Sequence, residues 1–577
     1  MSQSTRTVEL PSSFPVVIVG GGIAGVSCLQ QLALSCPDKE VIVVSASQLV
    51  TVSTNVKFLT KTLTQFDVEE RKMEWLKTVH PKVKVIHARV TSFDPASSCI
   101  NLSSGEAIQY SRLCICTGAH PKGLPGVVGA DNNPNVVGVR DAATANELRR
   151  RVAFARCVLI AGNGGIASEV AYGLHGVHVI WAVRESYINA AFVDPGAATY
   201  LEGSLKKRAD CKDESERKTE NSNKESSDEY LPSWKIKRFN ITKENTVGEG
   251  DVLGTALGPE WQTHFPLHGA AEESSLKMEY GCEISKVLTP EEVSKENIPI
   301  TDLFSGDQNK EIKWPVYVML TNGKCVGCDL VVAATGVVPN SSSFINVLNG
   351  PKSCPSDGNG IMVDLRMRTT TEGVFAAGDV CTAAWPNRSK HWIQMRLWTQ
   401  ARLMGLYAGR CIAASLSREE LAKEKGIITN ARGAQSPTQA NVKEVSSEND
   451  SIEDCRTVEI RWKEDSYDVN IEDDESMYDF CFELFSHVTK FFGRRTILLG
   501  LFNGQGLNNE YEALVRVSEG EYVKVILGRD GRLAGAVLIG ETDLEETFEN
   551  LILSGNDVSS FGENLLHPGV DIEDYFD

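Results

Sequence analysis

Apolar runs that end in glycine-rich turns mark two places in the chain. Residues 16–19 (VVIV) and 158–161 (VLIA) are wholly apolar, and each leads directly into such a turn, GGGIAG or GNGGIA. A short, continuous apolar run is typical of a strand that is buried on both faces of a parallel sheet. The pattern therefore predicts a strand, a tight turn and a helix at each place, as at the start of a doubly wound α/β domain.

Other stretches carry strand-like or helical patterning. PVVIVG, EVIVVS and KVKVIH are candidate parallel strands in the N-terminal part, and YEALVRVS, EYVKVILG and LAGAVLIG are candidate strands near the C-terminus, separated by tight turns. A long helix is predicted near residues 393–411. Another is predicted at 543–553, with Asp543 as its N-cap and Glu546 at the capping-box position.

The glycines of the two turns have different physical roles. Gly20 and Gly162 permit the tight turn itself. Gly22 and Gly164 let the backbone approach a pyrophosphate closely, and Gly25 lets the helix lie against the strand. The partial positive charge of each helix N-terminus then attracts phosphate. Two such turns predict two dinucleotides, the layout of an enzyme that passes hydride from a nicotinamide to a flavin; the alternative is two purely structural turns.

Three further segments resemble motifs of one flavoenzyme family. Residues 113–118 (LCICTG) and 331–336 (VVAATG) resemble its strands that end in Ala-Thr-Gly, and residues 371–379 (TEGVFAAGD) resemble its second FAD motif. In this order the pieces resemble the pyridine nucleotide-disulfide oxidoreductase class. The resemblance implies FAD as cofactor, NADH or NADPH as co-substrate, and a carboxylate, Asp379, that bonds the ribityl chain of the flavin.

The resemblance also implies a domain plan. The fold is expected to be α/β, with two Rossmann-like, doubly wound domains for FAD and NAD(P)H and a small α+β C-terminal domain. The expected boundaries are 14–140 and 338–412 for the FAD-binding domain, 141–337 for the NAD(P)H-binding domain, 413–476 for an acidic flexible linker and 477–577 for the C-terminal domain. Residues 206–249 are so polar that we expect a disordered insert there. The class uses its C-terminal domain for homodimer contact, and the sequence leaves the oligomeric state open.

The motifs assign a set of residues to cofactor binding. They are Gly20, Gly22, Ala24, Gly25, Ser45, Lys61, Thr117, Gly118, Gly162, Gly164, Ile166, Glu169, Arg184, Gly336, Gly378 and Asp379. An acidic residue usually bonds the ribose at the end of the second strand of such a unit, and Ser45 takes that place in the FAD half. In the other half Arg184 suits the 2′-phosphate of NADPH and Glu185 suits NADH. Because no second arginine lies nearby, we expect a preference for NADH with NADPH tolerated.

Cysteines are missing where the resembled class keeps its redox thiols. Its dithiol, and the single thiol of its oxidases and peroxidases, follow the second FAD strand, but no cysteine lies between Cys36 and Cys99. Its C-terminal His-Pro-Thr segment is absent as well, and neither His487 nor His567 replaces it convincingly. One CxxC, Cys325 and Cys328, could be a redox pair, which leaves a disulfide reductase as an alternative.

The CxxC stands in a strand-like context, and this weighs against redox chemistry. It follows an Asn-Gly turn and precedes the apolar run DLVVAATG. Residues three apart in a strand point to opposite faces, so we favour a packing role for Cys325 and Cys328. No set of residues at metal-ligand spacing is present beside them, and we expect no metal site.

Lys61 and Glu169 are the candidate catalytic pair. Residues 53–61 (STNVKFLTK) loosely resemble the Leu-Ser-Lys stretch of the ferredoxin-reductase branch, in which the lysine approaches the flavin and pairs with a glutamate that matches Glu169. A cation there would stabilise reduced, anionic flavin. The alternative is that Lys61 is a solvated helix residue.

Composition narrows the choice of partners and compartments. The 577 residues carry a net charge of −19, which argues against direct nucleic-acid binding because phosphate contacts need a basic patch. No apolar run is long enough to cross a bilayer, and residues 1–13 lack the apolar core of a signal peptide. Fifteen irregularly spaced cysteines indicate reduced thiols.

A narrower resemblance concerns residues 385–408, 540–550 and the ending DIEDYFD, which are similar to one eukaryotic branch of the class. It implies an NAD(P)H-oxidising protein of cytoplasm and nucleus with a protective link to the tRNA-splicing ligase complex. The electron acceptor stays unknown, with oxygen as the default. An alternative from a different class is a sensing protein. In it, bound NAD(P)H and FAD set the conformation that a partner protein recognises.

Overall fold

The computed structural model describes residues 14–209, 235–241, 267–271, 275–304, 313–348, 360–385, 389–424, 481–570 and 572. Its larger sheets are two five-stranded parallel sheets and one six-stranded antiparallel sheet. This arrangement confirms the expected α/β fold with two doubly wound units and a smaller C-terminal unit.

The first parallel sheet is centred on the first apolar run. Its strands lie in the order Val374–Ala376, Arg112–Ile115, Val16–Val19, Val41–Ser45 and Val83–His87. The helix Ile23–Ser35 follows the central strand, and the helix Trp398–Glu424 packs along the helix Ile23–Ser35. Gly405 permits this close packing, since a Cβ there would lie 2.2 Å from the carbonyl oxygen of Ala24. The strand Val374–Ala376 belongs to this sheet but follows the second unit in the sequence. The second unit is therefore inserted into the first.

The second parallel sheet is centred on the second apolar run. Its strands lie in the order Val136–Gly138, Leu330–Ala333, Cys157–Ala161, His178–Val183 and Leu276–Tyr280. The helices of this unit are Ala142–Val152, Gly165–Gly173 and Pro195–Ala209. The chain passes between the two units at a pair of short antiparallel strands, Ala119–Pro121 and Val337–Pro339. The two glycine-rich turns therefore belong to separate but directly linked units.

Smaller elements complete both units. One is the antiparallel hairpin Leu49–Phe58 and Thr64–Lys72. Two three-stranded antiparallel sheets consist of Val90–Asp94, Cys99–Leu102 and Ala107–Gln109, and of Ile284–Leu288, Val316–Leu320 and Cys325–Cys328. Parallel pairs join Leu174–His175 to Leu267–His268 and Ile361–Val363 to Cys381–Ala383. The short helices are Leu76–Val79, Pro290–Glu296, Ile345–Leu348 and the 3₁₀ turn Met73–Trp75.

The six-stranded antiparallel sheet forms the C-terminal unit. Its strands lie in the order Lys235–Ile241, Tyr511–Val517, Tyr522–Gly528, Leu533–Ile539, Arg494–Gly500 and Ser486–Phe491. The helix Glu545–Ser554 packs against this sheet, and the 3₁₀ segment Ser559–Leu566 follows. The strands with YEALVRV, YVKVILG and LAGAVLI lie side by side, as their patterning predicted.

The structure differs from the sequence-based plan within the polar insert. Residues 206–249 were expected to lack order, but residues 206–209 end the helix Pro195–Ala209 and Lys235–Ile241 is an edge strand of the C-terminal sheet. The remainder of that range, 210–234 and 242–249, lies outside the described residues. The short segment KIKRFNI carries the apolar residues Ile236, Phe239 and Ile241 among polar ones, and this local signal is lost in the average composition of the insert. Ile236 packs against the C-terminal core, and Arg238 pairs with Glu512.

Two helix boundaries also differ from the plan. The long helix begins at Trp398 and continues to Glu424, so the first twelve residues of the expected linker (413–424) are helical; the rest of that linker, 425–476, lies outside the described residues. The C-terminal helix begins at Glu545, after an N-cap at Leu544 that forms no side-chain hydrogen bond. Asp543 does not cap it, because its backbone is left-handed, with φ of 51°.

A buried ion pair attaches the C-terminal sheet to the second unit. The Nζ of Lys524 donates to Oδ2 of Asp194 at 2.5 Å and to Oδ1 of Asn503 at 2.8 Å. Oδ1 of Asp194 accepts from the N–H groups of Gly196 and Ala197 at 2.8 and 3.2 Å, and so caps the helix that follows. The same carboxylate thus holds a helix terminus and a neighbouring unit in place.

Candidate functional site

The second glycine-rich turn is shaped by backbone conformation and close packing. Gly162 has φ of 132°, and a Cβ there would lie 2.2 Å from the carbonyl oxygen of Ala334. Gly164 caps the helix Gly165–Gly173, and a Cβ at this residue would meet no atom within 4 Å. The first glycine therefore serves the fold, and the second leaves open space in front of a helix N-terminus, where an anion is stabilised.

A cavity of about 550 Å³ opens in front of this turn. It is large enough for a dinucleotide-type ligand to enter. The predicted residues Gly162, Gly164, Ile166, Arg184 and Gly336 all line it. Sequence reasoning missed other lining residues from distant parts of the chain, among them Lys122, Glu283, Ser285 and Thr321.

An ordered carboxylate lies at one side of the cavity. Glu185 accepts from the Nε of Arg184 at 2.9 Å and from the Nδ2 of Asn163 at 2.7 Å. The side chain of Glu185 is 16% exposed and that of Arg184 is 52% exposed. The carboxylate is thus the more firmly held of the two charges, and it suits the hydroxyl groups of an unphosphorylated ribose.

The first glycine-rich turn repeats the geometry of the second. Gly20 has φ of 119°, and a Cβ there would lie 2.1 Å from the carbonyl oxygen of Cys116. At Gly25 a Cβ would lie 2.0 Å from the carbonyl oxygen of Gly20, so only glycine allows the helix this close to the turn. At Gly22 a Cβ would meet nothing within 4 Å. This turn therefore also leaves open space before a helix, Ile23–Ser35.

The Gly-Asp motif lies against the helix that follows the first turn. A Cβ at Gly378 would lie 2.8 Å from the side chain of Ala24, so the motif and the helix are in direct contact. Asp379 is buried and pairs with Arg140, while its carbonyl oxygen accepts from the Nε of Arg396 at 3.0 Å. Burial lowers the pKa of Arg396, and the negative charge of Asp379 opposes that shift.

Arg140 was missed by sequence reasoning. Its Nη1 is buried and has no hydrogen-bond partner among the described residues, although its Nη2 pairs with Asp379. An unpaired guanidinium N–H beside a buried carboxylate and a helix N-terminus suits an anionic, polyhydroxylated ligand. The residues around the first turn therefore fit the pyrophosphate and ribityl groups of FAD.

Three other predicted residues have structural partners. Ser45 is buried, and its Oγ accepts from the N–H of Ser47 at 3.2 Å. The Oγ1 of Thr117 donates to the carbonyl oxygen of Asn340 at 2.7 Å, and the N–H of Asn340 donates to the carbonyl oxygen of Gly118 at 2.9 Å. Thr117 and Gly118 thus fix the crossing between the two units, beside the first turn.

The structure contradicts the alternative that Lys61 is a solvated helix residue. The chain at 49–72 is an antiparallel hairpin, and Lys61 is an exposed residue of its turn, not part of a helix. The strand LVTVSTNVKF is rich in β-branched residues, and this favours a hairpin over the helix of that alternative. The turn is fastened to the C-terminal unit, where Glu549 accepts from the N–H and Oγ1 of Thr62 at 3.0 and 2.7 Å and from the Oγ1 of Thr60.

Glu169 lies elsewhere, so the expected pair does not form. It is buried on the helix Gly165–Gly173, where it lines a small cavity of about 30 Å³ together with Lys490 and Phe492 of the C-terminal unit. Within the described ranges, no ion pair joins Glu169 to Lys61. The predicted interaction across the flavin site is therefore not found in this structure.

The CxxC lies in a strand, as predicted from its context. Cys325–Cys328 is the third strand of a small antiparallel sheet, and both thiols are buried and unbridged. Cys325 and Cys328 pack into different hydrophobic clusters, as expected for opposite strand faces. Burial raises the pKa of both thiols, which keeps them protonated and weakly nucleophilic.

His487 lies where the three units meet, a position that its sequence context did not reveal. Its Nδ1 is 3.1 Å from the Oγ1 of Thr399, and its ring packs edge-on against Trp398 with centroids 5.0 Å apart. Burial lowers the pKa of His487 to about 3, so the imidazole is neutral at pH 7. It contacts the start of the long helix without adding charge there.

Within the described ranges, no group of three or more His, Cys, Asp or Glu side chains is placed to hold a metal ion. In the same ranges, every helix is too short or too polar to span a membrane.

Nearly the whole chain is similar to known sequences of one family. Residues 14–284 and 293–405 match the family described as pyridine nucleotide-disulphide oxidoreductase. Pyridine nucleotide-disulfide oxidoreductase domain-containing protein 1 of Mus musculus is 39% identical over 97% of this chain and 98% of its own length. The protein of that name from Danio rerio is 40% identical over 97% of each chain.

Solved structures share the fold at low sequence identity. A water-forming NADH oxidase from Lactobacillus brevis, bound to NADH, is 14% identical with a TM-score of 0.54 and covers 95% of this chain and 92% of its own. An NAD-dependent persulfide reductase from A. fulgidus is 16% identical with a TM-score of 0.55 and covers 95% of this chain and 78% of its own. The putidaredoxin reductase–putidaredoxin complex is 15% identical with a TM-score of 0.54 and covers 94% of each chain.

Proposed function

The chain belongs to the pyridine nucleotide-disulphide oxidoreductase family and is an FAD-dependent NAD(P)H oxidoreductase, and we propose that it transfers electrons without a protein dithiol. One observation carries this proposal. The segment after the second FAD strand, where the family resemblance implies a redox-active helix, is the hairpin of residues 49–72, and it contains no cysteine. The electrons must then leave for an acceptor that is not a thiol of this segment.

The side chains and backbone of the chain would hold the two nucleotides and orient their reacting rings towards each other. The helix N-termini at Gly22 and Gly164 each offer free N–H groups to a pyrophosphate. Asp379 and Arg140 would bind the ribityl and phosphate groups of FAD, and Glu185 would bind the ribose of the coenzyme. Bound FAD would supply the redox chemistry between the coenzyme and the acceptor, which we propose by default to be oxygen.

The CxxC is a poor substitute for the missing dithiol. Cys325 and Cys328 lie on opposite faces of a strand, whereas a disulfide needs Cβ atoms about 4 Å apart that face each other. Both thiols are buried and have raised pKa values, so neither is activated as a thiolate. These observations support the proposal that flavin alone stores the electrons.

Anaerobic titration with NADH tests the proposal. We expect about one NADH to bleach each bound flavin fully, since a flavin takes up one hydride equivalent, and a participating disulfide would require a second. The Cys325→Ser and Cys328→Ser variants should titrate like the unmodified protein. Uptake of two NADH per flavin that falls to one in Cys328→Ser would contradict the proposal, as would a protein that stays colourless after incubation with FAD.

We also propose a preference for NADH with NADPH tolerated, because the carboxylate of Glu185 is ordered at the cavity wall. The ratio of kcat/KM for the two coenzymes measures this preference directly. Very slow turnover with either coenzyme, combined with partner binding that depends on NAD(P)H, would favour the sensing function over the enzymatic one.

The protective role is a further proposal, supported by the similarity to the eukaryotic branch noted above. We propose that the protein, in cytoplasm and nucleus, keeps the tRNA-splicing ligase complex active under oxidising conditions. Ligase complex incubated in air should retain its activity longer with this protein and NADH than with a variant unable to bind NADH. Equal loss of ligase activity in both samples would reject the role.

A further inference from the structure

Asn163, the second residue of the second glycine-rich turn, uses both ends of its side-chain amide. Its Nδ2 donates to Oε2 of Glu185 at 2.7 Å and to the carbonyl oxygen of Tyr187 at 2.9 Å. Its Oδ1 accepts from the N–H of Asn189 at 2.5 Å. The amide therefore links the turn to the segment that carries Glu185.

The turn that carries this amide is itself rigid. The carbonyl oxygen of Gly162 accepts from the Nε1 of Trp181 at 2.8 Å, and Trp181 is fully buried. Asn189 is also fully buried. A hydrogen bond between such fixed groups costs little side-chain entropy, so Asn163 can hold Glu185 in one orientation.

The orientation of Glu185 matters because Arg184 lies beside it in the same cavity. Oε1 of Glu185 accepts from Arg184 and Oε2 accepts from Asn163, so the carboxylate is held from two sides. A fixed carboxylate accepts hydrogen bonds from ribose hydroxyls and repels a 2′-phosphate. It also offsets the positive charge that a 2′-phosphate would need.

We propose that Asn163 is a positioning residue that makes this cavity select NADH over NADPH. The inference rests on the proposed function, in which the cavity binds the coenzyme. Without the amide, Oε2 of Glu185 loses its fixed donor, and the carboxylate can turn with the more exposed Arg184 towards solvent. The cavity then loses its ribose acceptor and its repulsion of phosphate together.

Two variants test this role. Asn163→Ala removes the amide, and the isosteric Asn163→Asp keeps the acceptor for Asn189 but places a second carboxylate against Glu185. In both we expect KM for NADH to rise about tenfold or more, as for loss of a hydrogen bond to a charged group, with kcat at saturation unchanged. The NADH to NADPH ratio of kcat/KM should fall by a similar factor in Asn163→Ala and by less in Asn163→Asp, because the added carboxylate also repels a 2′-phosphate.

Asn322→Ala is the matched control. The Nδ2 of Asn322 donates to Oε2 of Glu279 at 3.1 Å, the same kind of bond on an exposed surface, so neither coenzyme should be affected. An unchanged coenzyme ratio in both Asn163 variants, or an equal loss for both coenzymes, overturns the inference. Unfolding of both variants overturns the inference as well, since the amide would then be needed for the fold and not for the choice of coenzyme. Failure of the unmodified protein to oxidise either coenzyme would reject the proposed function instead.

Discussion

Replacing Gly164 by valine is expected to lower NAD(P)H-driven flavin reduction by about 100-fold or more while the protein keeps its FAD. The backbone at Gly164 is extended, with φ of −105° and ψ of −170°, a conformation that valine adopts readily. No protein atom lies within 4 Å of a Cβ there, so the variant should fold. Its isopropyl group would fill the space in which a pyrophosphate approaches the helix, and a displacement of about 1 Å costs roughly this factor. Stopped-flow measurement of flavin bleaching checks the rate.

Three companion variants make this result specific. Gly22→Val places the same group before the first helix, where a Cβ also meets nothing, and it should lose FAD instead. Gly520→Val adds a Cβ in equally open space at an exposed turn and should change neither ligand. Gly162→Val should misfold, because its Cβ would lie 2.2 Å from the carbonyl oxygen of Ala334. Normal bleaching in Gly164→Val would exclude the second turn as the coenzyme site.

Asp194→Asn is expected to destabilise the attachment of the C-terminal unit by about 3–5 kcal/mol, because it leaves the Lys524 ammonium buried without a counter-charge. The side chain of Lys524 is 5% exposed and that of Asp194 is 25% exposed. Asparagine also caps helices well, so the cap of the following helix survives and the charge alone is removed. The free energy of the first unfolding transition in urea at pH 7 measures the loss.

The ionisation of Asp194 sets the pH range of this effect. Burial alone would raise the pKa of Asp194, but Lys524 outweighs it and holds that pKa below its usual value. A carboxyl with a lowered folded-state pKa stabilises above its unfolded pKa, and this stability disappears as pH falls through the folded value. The full effect of Asp194→Asn is therefore expected at neutral pH.

An exposed ion pair supplies the control for this prediction. Asp38→Asn removes the partner of Lys82, in a pair whose side chains are 96% and 52% exposed, and should destabilise the protein far less than Asp194→Asn does. The double variant Asp194→Asn with Lys524→Met should recover most of the lost stability, since no buried charge remains. A cost below about 1 kcal/mol for Asp194→Asn alone would show that the pair does not hold the C-terminal unit in place.

The parallel sheets could be predicted because burial on both faces leaves a strong local signal. The apolar runs at 16–19 and 158–161 both form central strands. The hairpin of residues 49–72 was not predicted, since STNVKFLTK loosely resembles the Leu-Ser-Lys stretch of another branch, although the strand LVTVSTNVKF is rich in β-branched residues. The helix cap at Asp543 failed because a left-handed backbone at that residue displaced it, and no sequence rule fixes that conformation.

The glycines of the site were predictable, and their charged partners were not. A glycine-rich turn after an apolar strand is a local pattern, so Gly20 and Gly162 can be assigned from a few neighbours. Arg140 meets Asp379 across 239 residues, and Asn163 holds Glu185 across 22. Such contacts depend on the order of strands in a sheet, which brings distant chain segments to one edge and leaves no trace in either segment alone.

The edge strand Lys235–Ile241 imposes an order of events on biosynthesis. Ile241 pairs with Tyr511, so the ribosome releases this strand long before its partner strand exists, by roughly 15–50 s at ordinary translation speeds. In that interval its unpaired N–H and C=O groups can form hydrogen bonds with a strand of a neighbouring nascent chain. The basic residues Lys235, Lys237 and Arg238 oppose such pairing by mutual repulsion until the last strands emerge.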